Sequence, residues 1–426
     1  MKNISILFTL LLSSLCFSQD YNTNNFQFNG QFTYISQTIF PFNNHRFNSG
    51  IYSLNSLKDT ESTQSYTFYL GYRINHNLDI YVDPEWSLGN GINNGTGIAS
   101  YPSGEVIRVP APGTPGASAV PYFARAFIKY SIPISGSFKQ VEGNINQIPG
   151  KISNNNIVIN AGKFSASDVF DQNSYANSGR NQFMNWSFIN NLSYDYAADL
   201  RGYSYGASVE WNHPSWILRL GSFAMPMQAN SIILGSIFSQ NRGDQIELEE
   251  HYKNSILRIL AYRNIGNMGQ YLSNDIHIST NSVKYGYGLN YEQSLCDNGT
   301  TGIFARLGYN PGSTESFAFA ECDSSISAGI QISGKHLKIK DDIMGIGISQ
   351  ASLNKNHALY LESGGEGFIL SGPINYSPER IFEIYYNHNF DKSRWSIGPD
   401  LQIINNAGYN MNTNTWLLGF RAHLSF

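Results

Sequence analysis

Apolar and polar residues alternate along most of the chain. Phe26, Phe28, Phe32 and Tyr34 fall on even positions with Gln27, Asn29, Gln31 and Thr33 among the residues between them. That two-residue period marks a strand with one apolar and one polar face. Tyr66, Phe68, Leu70, Tyr72 and Ile74 repeat it, and beyond Asn75-His76-Asn77 so do Leu78, Ile80, Val82, Pro84, Trp86 and Leu88. The pair predicts a hairpin whose strands match the ~9–11 residues of a tilted membrane-crossing strand and exceed the ~5–6 of a typical soluble one. The last run carries Trp416, Leu418, Phe420, Ala422, Leu424 and Phe426 on one face, and Thr415, Leu417, Gly419, Arg421, His423 and Ser425 on the other. Its aromatic-flanked apolar stripe is what a lipid-facing band between two aromatic girdles requires.

The same pattern predicts sixteen strands, near 26–38, 64–75, 78–89, 120–132, 156–164, 201–211, 215–224, 245–251, 256–264, 284–294, 301–310, 324–334, 342–350, 379–390, 393–405 and 413–426. Connections alternate between short (75–77, 212–214, 252–255, 295–300, 335–341, 391–392) and long (39–63, 90–119, 165–200, 225–244, 265–283, 351–378). Outer-membrane barrels have this asymmetry of tight periplasmic turns and long extracellular loops. The expected fold is therefore all-β: a transmembrane antiparallel β-barrel of about sixteen strands with an inward-folded constriction loop. Residues 133–155 break the rule, being long on the short side, which points to a misplaced strand or a periplasmic insertion. Pro399 lacks a backbone donor and a barrel has no edge to hold it, so a bulge is expected within 393–405.

Composition sharpens this picture. Only 14% of residues are charged, against roughly 25% in ordinary soluble domains. Another 14% are aromatic, yet the mean hydropathy is only -0.27. Past the N-terminal stretch no apolar run approaches the ~18–20 residues of a membrane helix. Abundant aromatics and a net charge of -4 argue against disorder. With 27 basic and 31 acidic residues and no basic stripe, no nucleic-acid partner is expected. Lys2, the apolar Ile4–Phe17 and Ser18 read as a secretory signal over residues 1–18, leaving 19–426 as one barrel domain. Leu15 before Cys16 does not suit a lipidation site. Cys296 and Cys322 fall at opposite ends of the predicted barrel, so both are expected to be free, since a disulfide needs Cα atoms within about 7 Å.

Gly162-Lys163-Phe164, Asp168, Phe170-Asp171, Asn173, Tyr175-Ala176, Arg180, Gln182-Phe183, Asn185-Trp186, Asp195-Tyr196-Ala197-Ala198-Asp199 and Arg201-Gly202-Tyr203 together resemble the carbohydrate-selective porin family of OprB type. Asp83-Pro84-Glu85, Gly104-Glu105, Tyr291-Glu292-Gln293, Phe317-Ala318-Phe319, Tyr360 with Gly364-Gly365, and Glu383-Ile384-Tyr385-Tyr386 extend the likeness over nearly the whole mature chain. The resemblance implies a single outer-membrane barrel for passive diffusion. The chain departs from the family at Ser178-Gly179, Leu337 to Lys340 and Phe368 to Pro373. These departures bear on the solute rather than on the barrel.

A diffusion pore works by its diameter and by what lines its narrowest ring. The segment 165–200, rich in Asn, Asp, Tyr and Trp, is the expected constriction, because loops that long are usually functional; the plainer alternative is an extracellular cap held by Asp–Arg pairs. Aromatic faces stack on pyranoses, and planar charged groups pair with vicinal hydroxyls. The inward face of 78–89 offers Asp79, Tyr81, Asp83 and Glu85, and its neighbour offers Tyr69 and Arg73. In 120–132, Tyr122, Ala124, Ala126, Ile128 and Tyr130 read as lipid-facing. That turns Arg125 and Lys129 inward, since a charge facing lipid at midplane costs about 2–4 kcal/mol. Glu105, Asp168, Asp171, Arg180, Trp186 and Arg201 complete the candidate solute-contacting set; a salt-bridge lattice that merely stiffens the wall is the competing role for each. The acidic trio Asp79, Asp83 and Glu85 raises a divalent-cation pore, such as a manganese-type porin, or a general porin as alternatives. Yet Asp79 and Glu85 lie about six residues apart at ~3.3 Å each, too far for a compact site. A barrel hydrolase is disfavoured, with no Gly-x-Ser-x-Gly or His-Glu-x-x-His motif, and His251 after Glu249-Glu250 reads as a rim histidine. No cofactor or resident metal is expected. The expected partners are outer-membrane lipid and lipopolysaccharide, the outer-membrane assembly machinery, and small sugars or ions as solutes, with the protein a monomer or homotrimer.

Overall fold

A computed structural model describes residues 25–41, 50–106, 121–236, 241–271, 281–317, 321–339, 341–390 and 394–426. The signal segment 1–18 and Cys16 lie outside them. Sixteen strands form: β1 (Phe26–Ile39), β2 (Asp59–Asn75), β3 (Leu78–Gly89), β4 (Tyr122–Val141), β5 (Gly150–Phe164), β6 (Ser204–His213), β7 (Trp216–Ala224), β8 (Arg242–Tyr252), β9 (Ser255–Gly266), β10 (Ser282–Cys296), β11 (Thr301–Tyr309), β12 (Ser324–Ser333), β13 (Ile343–Ser352), β14 (Glu379–Phe390), β15 (Trp395–Asn405) and β16 (Thr415–Ser425). Each pairs antiparallel with the next, and β1 closes on β16 from Gln31↔Ser425 to Ile39↔Leu417. Closure gives the strand backbones partners from both sides, which is what allows β structure to sit in lipid.

Alternation decides which side chains meet lipid. On β8, Gln245, Glu247 and Glu249 are buried inside while Ile246 is 45% exposed outside. On β16, Trp416, Leu418 and Phe420 are exposed on the outer face and Leu417 and Arg421 are buried inside. The inner polar groups form their own lattice. Arg219 on β7 binds Glu210 on β6 and Glu247 and Glu249 on β8, and Arg258 on β9 carries the chain on to Glu292 on β10.

Three local expectations are corrected. Pro399 causes no bulge: pairing of β15 with β16 runs in one register through Pro399↔Phe420. With β14 the ladder is interrupted between Tyr385↔Asp400 and His388↔Ile397 but resumes unshifted. A missing donor is accommodated by a skipped bond rather than an inserted residue. The bulges fall elsewhere, one of them opposite Asp83 and Pro84, where β4 fits Ala124 between the partners Phe123 and Arg125. That extra residue inverts the parity upstream, so Phe123 faces outward at 59% exposure. Tyr122, read as lipid-facing, instead donates its hydroxyl to Glu85 inside the barrel (2.6 Å), and Ala124 is fully buried. The 133–155 segment is neither a separate strand nor a free insertion. It lengthens β4 and β5 into a hairpin with register shifts at Pro133/Ser135 and Ser135/Phe138. Such bulges bend a ladder, and the tip at 142–149 turns back into the lumen.

Candidate functional site

The segment 165–200 folds inside the barrel and rests mainly on the part of the wall running from β7 to β16. At its start, Ser165 and Asp168 form a reciprocal capping box over a short 3-10 turn. Asp171, held at φ 57°, accepts from Arg306 Nε on β11 (3.1 Å) and Asn290 Nδ2 on β10 (2.7 Å), and donates its own N–H to Glu247. Ser174 binds Glu292, and the backbone amides of Met184 and Asn185 both donate to Glu383 on β14. Arg421 on β16 donates to the carbonyls of Gly179 and Gln182. Loop rings settle where the wall has no side chain: a Cβ on Gly347 would lie 2.7 Å from Phe188, and one on Gly221 2.8 Å from Phe170.

The other half of the lumen stays open as a cavity of about 1170 Å³. Its wall is formed by β1, β2, β4, β5, β6 and β16, and the loop faces it across the gap. From the periplasmic end the hairpin tip closes in. Arg73 Nη1 donates to the Pro149 carbonyl (2.9 Å), the Ile148 amide to the Tyr81 hydroxyl (3.3 Å), Asn146 Nδ2 to Asp83 (2.8 Å), and Gln27 Nε2 to the Asn144 carbonyl. The pore is thus narrowed from both ends.

Two ion clusters bridge loop and wall. Arg125 meets Asp168 in a bidentate pair (2.7 and 2.6 Å), with Asp83 at 3.4 Å. Arg180 donates to Glu105 (3.0 Å), the Tyr69 hydroxyl (3.1 Å) and Glu85 (2.9 Å). Glu85, fully buried, also accepts from Thr67, Tyr122 and Tyr203. Planar guanidinium forks suit such shared carboxylates, and the geometry fixes the distance between loop and wall. Nearby, burial raises the Asp199 carboxyl above its ordinary range, against the pull of Lys163 at 3.7 Å.

Of the residues singled out from the sequence, Tyr69, Glu105, Arg125, Lys129, Asp168, Arg180 and Trp186 line the cavity. The others stand behind it. Asp83 and Glu85 are covered, Asp79 is held by Arg73 (2.9 Å), Tyr81 is buried under the hairpin tip, and Asp171 pins the loop to Arg306. Arg201 is buried and stacks 3.9 Å over the Tyr122 ring. Sequence reasoning missed Asn146, Asn160, Tyr203, Glu210, Arg394 and His423, which also line the space. Strand parity alone places Asn160 and Glu210 inside; no sequence signal brings the hairpin tip into the lumen. Cys296 and Cys322 are both free.

A sequence profile of the carbohydrate-selective porin, OprB family, matches residues 134–426. No curated protein sequence matches the chain. Among solved structures, OprB of Pseudomonas putida at high pH aligns with a TM-score of 0.69 at 14% identity, over 95% of this chain and 94% of that one. The outer membrane channel DcaP of Acinetobacter baumannii aligns at 0.56 and 7% identity, over 94% and 97%. At these identities the likeness is one of fold. The family assignment rests on the profile, which spans well over half of the sequence, and with it the closed barrel acquires its setting: the chain belongs to the carbohydrate-selective porin, OprB family and is an outer-membrane porin.

Proposed function

We propose that the pore passes uncharged monosaccharides by passive diffusion, and that Arg125, Asp168, Arg180, Glu105, Lys129 and Trp186 contact them in transit. The lining of the open half-lumen carries this reading. Arg125, Lys129, Arg180 and Arg394 are interleaved there with Glu105, Asp168 and Glu210, beside rings such as Tyr69, Phe127, Trp186 and Tyr203. Four basic and three acidic groups nearly cancel, so the passage offers hydrogen-bonding forks and stacking faces without a strong field of either sign. The volume lies just above the ~300–1,000 Å³ of closed small-molecule pockets, leaving a hydrated hexose room to pass.

A divalent-cation pore is disfavoured because the acidic trio offers no open carboxylate cluster: Asp79 pairs with Arg73, Asp83 with Arg125 and Glu85 with Arg180. The protein catalyses no reaction in this reading. Glu249 beside His251 is engaged by Arg219 and Arg258, which removes it as a base. Lipopolysaccharide around the exposed band and the outer-membrane assembly machinery belong to the same proposal. The test is planar-bilayer conductance. Glucose or a similar monosaccharide at millimolar levels is expected to reduce the ion current reversibly. A manganese-dependent reversal potential with no sugar block would overturn the reading.

A further inference from the structure

At the periplasmic end, remote from the cavity, two neighbouring turns bring together a thiol, an imidazole and a carboxylate. Cys296 ends β10 and Asp297 begins the turn Asp297–Gly299, while His336 sits on the turn Gly334–Leu337 between β12 and β13. The Cys296 Sγ lies 3.5 Å from His336 Nε2 and 3.5 Å from Asp297 Oδ2, and His336 Nε2 lies 2.6 Å from the same Oδ2. Among the described residues this is the one mixed group of three such donors within 4.8 Å of one another.

We propose that Cys296, Asp297 and His336 form a binding site for a divalent transition metal of zinc type. The geometry distinguishes it from a nucleophilic relay. In a thiol–imidazole–carboxylate relay the acid and the thiol address different ring nitrogens. Here both face Nε2, so the three donor atoms converge on one point. Around a tetrahedral Zn²⁺, with Zn–S of about 2.3 Å and Zn–N and Zn–O of about 2.1 Å, the S···N and S···O edges measure about 3.6 Å. Two edges of the triangle, at 3.5 Å, already lie close to that length. The third, between nitrogen and oxygen, must open from 2.6 Å to about 3.4 Å, a small adjustment for a half-exposed imidazole.

The surroundings support the same reading. A register shift between Ser294 and Cys296 skips Leu295 and sets Cys296 opposite Thr301, re-aiming it beside the turn that carries Asp297. Asp297 is held at φ 57°, and the Thr301 hydroxyl donates to its Oδ2 (2.9 Å), as outer partners orient a ligating carboxylate. Three protein donors leave the fourth tetrahedral position to water. A bound metal would tie the β10–β11 turn to the β12–β13 turn across the paired β11 and β12.

The test uses the full chain folded in detergent with a phosphine reductant. Co²⁺ serves as the spectroscopic probe and Zn²⁺ as the competitor. A thiolate-to-cobalt charge-transfer band is expected, removed by Zn²⁺, lost in Cys296→Ser and His336→Gln, and kept in Cys322→Ser. Zn²⁺ is also expected to slow maleimide labelling of Cys296 at least tenfold in the unaltered protein, with no protection in His336→Gln. Absence of the band, a band undiminished in His336→Gln, or labelling indifferent to Zn²⁺ would each overturn the proposal. Heat-dependent migration in SDS separates loss of a ligand from loss of the barrel, and the labelling result on the unaltered chain does not depend on any variant folding.

Discussion

Glu85 and Arg180 set the scale at which a single residue matters. Glu85 is fully buried and accepts from Thr67, Tyr122, Tyr203 and Arg180. Removing the guanidinium leaves two buried carboxylates, Glu85 and Glu105, short of their cation, which typically costs about 3–5 kcal/mol. Arg180→Ala is therefore expected to free the loop from the wall, raise single-channel conductance and weaken sugar block about tenfold, a change of about 1.4 kcal/mol. Unchanged conductance and block in bilayers would show that the pair sets neither. A second residue acts among the long loops. His357 is buried on the helix Lys355–Glu362, its Nδ1 3.0 Å from Asp323, its Nε2 3.7 Å from Glu321 and its ring stacked on Tyr271. Burial opposes its charge, but Asp323 and Glu321 outweigh that and raise it from 6.5 to about 9. A raised histidine stabilises fully below its unfolded value, so this contribution is complete below about pH 6.5 and is lost as pH climbs through about 9. Proteolysis of the 353–378 loop is expected to quicken across that window, and His357→Gln to remove the dependence. At this scale much was legible: the cost of charge in lipid turned Arg125 and Lys129 inward. Tyr122 was misplaced because one extra residue, Ala124, reverses a two-residue period, and nothing in the local pattern marks it.

Among the elements, the β4–β5 hairpin departs furthest from its sequence pattern. Its length on the short-turn side was visible, but its destination was not, because contacts from 144–149 to Gln27, Arg73, Tyr81 and Asp83 join residues far apart in the chain. Replacing 142–149 by a short turn is expected to raise conductance while leaving the heat-stable barrel intact. Conductance equal to that of the full chain would mean that the tip does not narrow the path. The charge lattice from Glu210 to Glu292 runs across five adjacent strands, which favours a stiffening role for that stretch of wall. Pro399 teaches the opposite lesson to the hairpin. The residue alone suggested a bulge, yet flanking pairs on both strands hold the register, because slipping it would turn every lipid-facing side chain of β15 inward.

Taken whole, the molecule is a closed wall with one half of its lumen filled by its own loop. Closure predicts that unboiled protein migrates differently in SDS from boiled protein, and identical migration would contradict the barrel. It also predicts that Cys296, exposed at one end, reacts with maleimide in the folded state, whereas buried Cys322 reacts only after boiling. Loss of both thiols to a single intramolecular bridge, read by mass, would contradict the strand order. Strand number, the inner and outer faces of most strands, the alternation of short and long connections and the separation of the cysteines followed from the sequence by itself. They depend on a period of two residues and on the price of charge in lipid, both of which act along the chain. Which half of the lumen the 165–200 segment occupies, which carboxylates lie open and which are covered, and the convergence of Cys296, Asp297 and His336 were decided only by the tertiary structure. Each depends on distances across a closed barrel, and such distances arise only when the last strand meets the first.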